Sequence, residues 1–254
     1  MNQLTVLNLG CGTKTSPGCI NIDWSPHLRI ARNPILYWLA QRILSGERLR
    51  HLEQLKCSIK IHDLRKGIPF PDNVVDAVYH SHLLEHIDRH ISRDSQDLKN
   101  DPAIEFVKEC RRVLRPGGIL RVVVPNFEEL CRRYLADLAR CEVEMSKPGE
   151  HDQAVFDVIG QEVMKEAPGS SRQAPLLRRL ENLILGDARR RGQTHQWEYD
   201  RINIAELLRH AGFELIHFVD YETSRIPDWN ALGLDSTDGG GEYRGGSLYV
   251  EAVK

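Results

Sequence analysis

Short runs rich in apolar and β-branched residues alternate with helical stretches along most of this 254-residue chain, and that alternation restricts its fold more than any other feature. Thr5–Leu9, Cys19–Ile22, Ser58–Ile61, Val74–Tyr79 and Ile119–Val124 read as strands. Polar groups follow the middle ones: Asp23 after the second, His62-Asp63 after the third and His80-Ser81-His82 after the fourth. Strands alternating with helices imply βαβ units in an α/β, doubly wound, mostly parallel sheet, with ligand groups gathered at the strand carboxyl ends. Between the fourth and fifth runs Asp101 can cap a helix that Pro102 opens, Ile104, Val107, Cys110, Val113 and Leu114 keep helical spacing, and Pro116-Gly117-Gly118 is expected to stop it. Near the C-terminus Ile204–Ala211 reads as a helix ended by Gly212. The strands Glu214–Tyr221 and Ser247–Val253 follow with only a glycine-rich loop between them, so an antiparallel closing pair is expected.

Two stretches exceed what such a domain needs, at about 27–57 and 127–194, and both are read as helical insertions in a single domain spanning 1–254. The first carries Ile35, Leu36, Trp38, Leu39 and Ile43 at helical spacing with arginines between them. Helices packed on the sheet or on each other are expected there, with a membrane-surface helix, and so peripheral association, as the alternative. Lys+Arg 34 against Asp+Glu 36, a net charge of −2, gives no electrostatic case for a dedicated nucleic-acid binder; small or neutral partners fit better. The six cysteines form no C-x-x-C pair and several lie in apolar runs, which suits a reducing compartment. Met1-Asn2-Gln3 leads straight towards a strand, and no apolar run approaches the roughly 18 residues of a bilayer span, so the expectation is a cytoplasmic chain without a membrane span. Oligomeric state is not legible.

The first strand runs directly into Gly10-Cys11-Gly12, and paired glycines allow backbone to approach a ligand closely. A dinucleotide fingerprint would need a third glycine where Thr15 stands, and no Gly-Lys-Ser/Thr phosphate loop is present, so a pyrophosphate ligand is disfavoured. What remains is a glycine turn with Asp23 and Asp63 closing the next two strands. A carboxylate at the second position can accept hydrogen bonds from both ribose hydroxyls, as a nucleoside lying across these strand ends requires.

Asn8-Leu9-Gly10-Cys11-Gly12, Asn21-Ile22-Asp23, Asp63-Leu64 with Ile68-Pro69-Phe70-Pro71-Asp72, Asp76-Ala77-Val78-Tyr79, Leu84-Glu85-His86-Ile87 and Arg112-Val113-Leu114-Arg115-Pro116-Gly117-Gly118 occur in the order seen in class I S-adenosylmethionine-dependent methyltransferases. The chain resembles that family over residues 4–126, and again at 195–213 and in the last strands. It is most similar to small bacterial members with a shortened first loop, which often accompany surface-polysaccharide synthesis. The resemblance implies a Rossmann-like, seven-stranded sheet with an antiparallel last strand, and S-adenosylmethionine as cofactor. It implies that Gly10, Cys11 and Gly12 line the methionine and ribose, that Asp23 holds the ribose hydroxyls, that Asp63 and Leu64 meet the adenine, and that His80, Ser81 and His82 border the sulfonium, with Asn8 and Trp24 also among the cofactor-binding residues. Asn8 stands where the family usually has a carboxylate, and Gly12 precedes Asp23 by only 11 positions, so the usual first helix must be truncated.

Methyl transfer is a displacement that depends chiefly on aligning acceptor, methyl and sulfur. A base is needed only for a hydroxyl acceptor, and His82 and His86 are the first candidates, with His195 and Tyr199 behind them. The expected reaction is O-methylation of a small molecule or saccharide. A non-catalytic subunit or binding module keeping the fold is the rival reading, motivated by Asn8 and the short loop. His82-Leu83-Leu84-Glu85-His86 also fits H-x-x-E-H, which would set two histidines on one helical face for zinc. It follows directly on the fourth strand and no distal ligand can be assigned, so no metal site is assigned. Glu85 and His86 are expected to cap or pack a helix, a divalent cation there being the open alternative.

Overall fold

A computed structural model of the chain describes residues 4–43, 46, 49–50, 53, 59–90, 100–143, 152–158 and 194–254. Its strands are β1 (Val6–Leu9), β2 (Cys19–Asp23), β3 (Ile59–Ile61), β4 (Val75–Ser81), β5 (Leu114–Pro125), β6 (Leu215–Val219) and β7 (Ser247–Val253). They form one seven-stranded sheet in the order β3-β2-β1-β4-β5-β7-β6. The first five pair in parallel, and β7 runs antiparallel to both β5 and β6, as expected for a connection without an α-helix. β1 is buried at every position, the signature of a central strand covered on both faces.

The helices are α1 (Pro26–Arg32), α2 (Pro34–Ile43), α3 (Pro102–Val113), α4 (Phe127–Val143) and α5 (Arg201–His210), and residues 152–158 are also helical. Asp101 caps α3 by accepting from the Ala103 and Ile104 amides at 3.0 and 3.3 Å. The helix stops at Val113, not at the Pro-Gly-Gly segment: Leu114 is already extended and pairs with Val75, so Pro116-Gly117-Gly118 lies in the outer end of β5. Pro is tolerated at such a strand start. A Cβ on Gly118 would come within 2.9 Å of the Arg115 carbonyl and 3.1 Å of that of Asp76. α5 starts three residues earlier than its apolar pattern because Asp200 and Asn203 form a capping box.

α3 and α5 cover one face of the sheet, where Leu7, Leu9, Val78 and Val122 meet Val107, Cys110, Ile204 and Leu208. The opposite face has a different cover. Val6, Ala77, Tyr79, Val123 and Tyr249 pack against Ile226, Trp229 and Leu234, from the connection between β6 and β7, whose helical content is a single 3-10 turn at Trp229–Leu232. That layer is fastened by Arg121, fully buried on β5. Its Nε donates to Asp235 at 2.8 Å, and Nη1 to Glu251 and to the Thr223 carbonyl, both at 2.8 Å.

α1 packs inward through Leu28 and Ala31. α2 departs from the expectation of a packed helix: Ala40 is buried, but Ile35 and Trp38 are 70% and 50% exposed, and Leu36 and Leu39 also face outward. Most of the remainder of both insertions, with Cys57, lies outside the described residues. No described helix is long and apolar enough to cross a membrane.

Candidate functional site

The carboxyl ends of β1 to β4 open onto two adjoining cavities. The larger, about 610 Å³, is lined by Gly10, Asp23, Trp24, Asp63, Leu64, His82 and His86 together with His62, Arg65 and Phe106. The smaller, about 190 Å³, takes Asn8, Cys11, Gly12 and Ser81 with Lys14, Tyr243 and Arg244. Gly10 and His82 form part of both walls. Of the twelve cofactor and first-rank catalytic candidates, eleven therefore line these two adjoining cavities.

The twelfth, His80, is elsewhere. It is fully buried on β4, its ring edge against Phe106 at 5.3 Å between centroids, and neither ring nitrogen has a hydrogen-bond partner among the described residues. Burial holds its pKa down to about 4, so it is a neutral core group.

The short loop after β1 carries no helix. Asn8, wholly inside, donates its amide N–H groups to the Lys14 carbonyl and to Asn21 Oδ1, both at 2.9 Å. Asn21 in turn accepts from the Ser16 amide and donates to the Ser16 carbonyl. A carboxylate at position 8 could not donate to either partner. Gly10 sits at φ +62° and Gly12 at φ +51°, and a Cβ on Gly10 would meet Leu83 at 2.9 Å. The Gly12 amide donates to Asp23 Oδ2 at 2.7 Å, and Ser25 N–H to Oδ1 at 2.7 Å, which fixes this carboxylate at the larger cavity.

Asp63 caps the turn Leu64–Lys66 and takes both Nε and Nη2 of Arg65 at 2.9 Å. That hydrogen-bonded pair, with the Arg65 charge, holds the carboxyl below its usual range. The Arg65 guanidinium also lies 4.7 Å from the Trp24 ring centroid, with Arg29 at 5.4 Å. Arg65 was missed from sequence, although its place two residues after Asp63 in a turn was a signal.

The segment after β4 is not the helix that H-x-x-E-H spacing suggested. His82 has φ +51°, and only Leu84–His86 form one 3-10 turn, so His82 and His86 do not share a helical face. His82 Nε2 lies 3.0 Å from Ser247 Oγ and its Nδ1 3.3 Å from Glu85 Oε1. Glu85 is fully buried. Burial pushes its carboxyl up, but His82, by contact and charge, and His86, by charge, outweigh that and keep it below the ordinary range.

The chain returning from the second insertion closes over this turn. The Gln196 amide donates to the Glu85 carbonyl at 2.7 Å. His195, 3% exposed in its side chain, holds Glu198 through Nδ1 at 3.0 Å and directs Nε2 to within 3.9 Å of Glu85 Oε1. The His86 and His195 rings meet edge to face at 5.0 Å. Tyr199, fully buried, lines neither cavity.

Residues 40–122 match the family described as methyltransferase domain. That match takes in β3, β4 and the Leu-Glu-His turn but starts beyond the glycine turn and Asp23. A Mycolicibacterium smegmatis protein named a probable S-adenosylmethionine-dependent methyltransferase is 40% identical over 68 residues, which are 25% of this chain and 21% of that protein. The chain thus spans about a fifth of the length of the curated relative it matches. Among solved structures, a SAM-dependent methyltransferase from Archaeoglobus fulgidus is 12% identical, with 100% of this chain and 87% of that one covered at a TM-score of 0.40. The complex of the Haloferax volcanii Trm112 methyltransferase activator with a methyltransferase is 17% identical, with 99% and 82% covered at 0.40.

Proposed function

We propose that the chain, whose residues 40–122 match the methyltransferase-domain family, is an S-adenosylmethionine-dependent methyltransferase whose cofactor lies across the ends of β1, β2 and β3. The observation that carries this is the Asp23 carboxylate, pinned by the Gly12 amide at the wall of a cavity that it shares with Gly10, Asp63 and Leu64. In this reading the free lone pairs of Asp23 accept the ribose hydroxyls, the Trp24–Arg65–Asp63 group meets the adenine, and the methionine end follows the Gly10–Gly12 backbone towards Ser81. The cavity carries four carboxylates, Asp23, Asp63, Glu105 and Glu109, against one arginine, Arg65, a balance that favours a sulfonium cation.

The acceptor is a small molecule or saccharide bearing a hydroxyl, which suits cavities of about 610 and 190 Å³ better than a macromolecular surface does. His82, on the wall common to both, hydrogen-bonds the acceptor hydroxyl in place of Ser247, and His86 stands beside it in the larger cavity.

Calorimetric titration with S-adenosylhomocysteine tests the assignment. Asp23→Ala should weaken binding by about 1–3 kcal/mol, the loss expected for hydrogen bonds to a charged group. Equal affinity in the variant would remove Asp23 from the site.

A further inference from the structure

Glu85, His86 and His195 each bring one ligand-capable atom into a cluster whose members all lie within 4.8 Å of one another. Their neighbours treat them as a coordination sphere is treated. Among the described residues, Glu85 Oε2 and His195 Nε2 are buried without a hydrogen-bond partner, and Glu85 Oε1 has only the 3.3 Å approach of His82 Nδ1, an arrangement that a folded chain avoids unless something else satisfies those atoms. His195 is oriented by its other nitrogen, which is 3.0 Å from Glu198 Oε1. His86 is oriented likewise, Nδ1 lying 3.1 Å from the Thr194 carbonyl. Each Nδ1 is therefore engaged as a donor, which leaves Nε2 as the nitrogen available to an ion. An imidazole whose second nitrogen donates to a carboxylate or carbonyl is the usual support of a metal-bound histidine.

We propose that Glu85, His86 and His195 bind a divalent transition-metal ion of the zinc class, a site that stands independently of the methyltransferase reading. Two imidazoles and one carboxylate select such an ion over Mg²⁺ or Ca²⁺, which prefer all-oxygen sets. An ion ~2.0–2.2 Å from each of three tetrahedral ligands holds them roughly 3.4 Å apart. His195 Nε2 and Glu85 Oε1 are already at 3.9 Å, and the ligand atom of His86 lies within 4.8 Å of both residues' ligand atoms, so small side-chain movements complete the set. Three protein ligands leave a further position for water beside His86, which also lines the larger cavity. The ion also fixes the chain returning at Thr194–Glu198 onto the turn after β4, reinforcing the Gln196 to Glu85 backbone hydrogen bond.

Tag-free protein, stripped with a chelator and titrated with Zn²⁺ by calorimetry, should bind one ion per chain, with Mg²⁺ producing no matching isotherm. His195→Ala should weaken Zn²⁺ binding by more than the roughly 10–100-fold that loss of an outer-shell partner causes, and Glu198→Gln should fall within that range. Should His195→Ala fail to fold, the near-isosteric Glu85→Gln carries the same expectation. Absence of Zn²⁺ binding by the folded wild type, or wild-type affinity in a folded His195→Ala or Glu85→Gln variant, would overturn the site.

Discussion

Arg121→Met should cost about 3–5 kcal/mol of folding stability, read as a lowered midpoint in urea unfolding, because it strands two buried carboxylates rather than because it removes an ion pair. Arg121, Asp235 and Glu251 are all buried. Asp235 also accepts from the Tyr79 hydroxyl at 2.6 Å and the Trp229 indole at 2.9 Å, and Glu251 from Ser224 Oγ and the Arg225 amide. These donors hold the carboxylates in place, so deleting the guanidinium removes the cationic partner that the two share in a buried layer. The triple variant Arg121→Met/Asp235→Asn/Glu251→Gln should therefore recover part of the loss. A single-variant cost below about 1 kcal/mol would mean that the layer made by residues 220–243 is not held by this network.

His80 sets the second large effect, on the pH dependence of stability. Burial holds its pKa at about 4 in the folded chain against 6.5 when exposed, so the unfolded chain takes up a proton that the folded one refuses. The stability it permits is fully present above pH 6.5 and is lost as pH falls towards 4. At 1.36 kcal/mol per pH unit the loss across that window is about 3 kcal/mol. His80→Phe, which fills the same space against Phe106 without a titrating nitrogen, should flatten the wild-type curve between pH 6.5 and 4 by that amount, whatever offset the larger ring introduces. Parallel curves for the two proteins would show that His80 is protonated in the folded state.

The seven strands and the antiparallel ending were legible because they depend on local run length and on the absence of a helix between the last two runs. The glycine turn, Asp23 and Asp63 were legible because strand ends announce themselves as apolar runs giving way to polar residues. What sequence could not supply was partnership at long range. Asn8 stood out as a departure, but the pair that explains it, Asn21 and the Lys14 carbonyl, appears only once β1 and β2 lie side by side. A charge in the middle of the β5 run gave no sign that Asp235, 114 residues on, would meet it. His195 likewise reaches Glu85 only because the chain returns over the β4 turn, an approach across 110 residues that spacing could not announce. Periodicity misled twice for physical reasons. It gave α2 an apolar stripe without saying whether anything covers it, and it gave His82 and His86 a common face although His82 lies in the left-handed region, where a helix cannot pass.

The most direct test of the central claim is a crystal structure of the chain with S-adenosylhomocysteine. The account predicts the ribose hydroxyls on the Asp23 carboxylate, the adenine beside Trp24, Asp63 and Leu64, and the sulfur near His82. Well-ordered ligand bound away from the ends of β1, β2 and β3, or an empty cleft at saturating ligand, would contradict it.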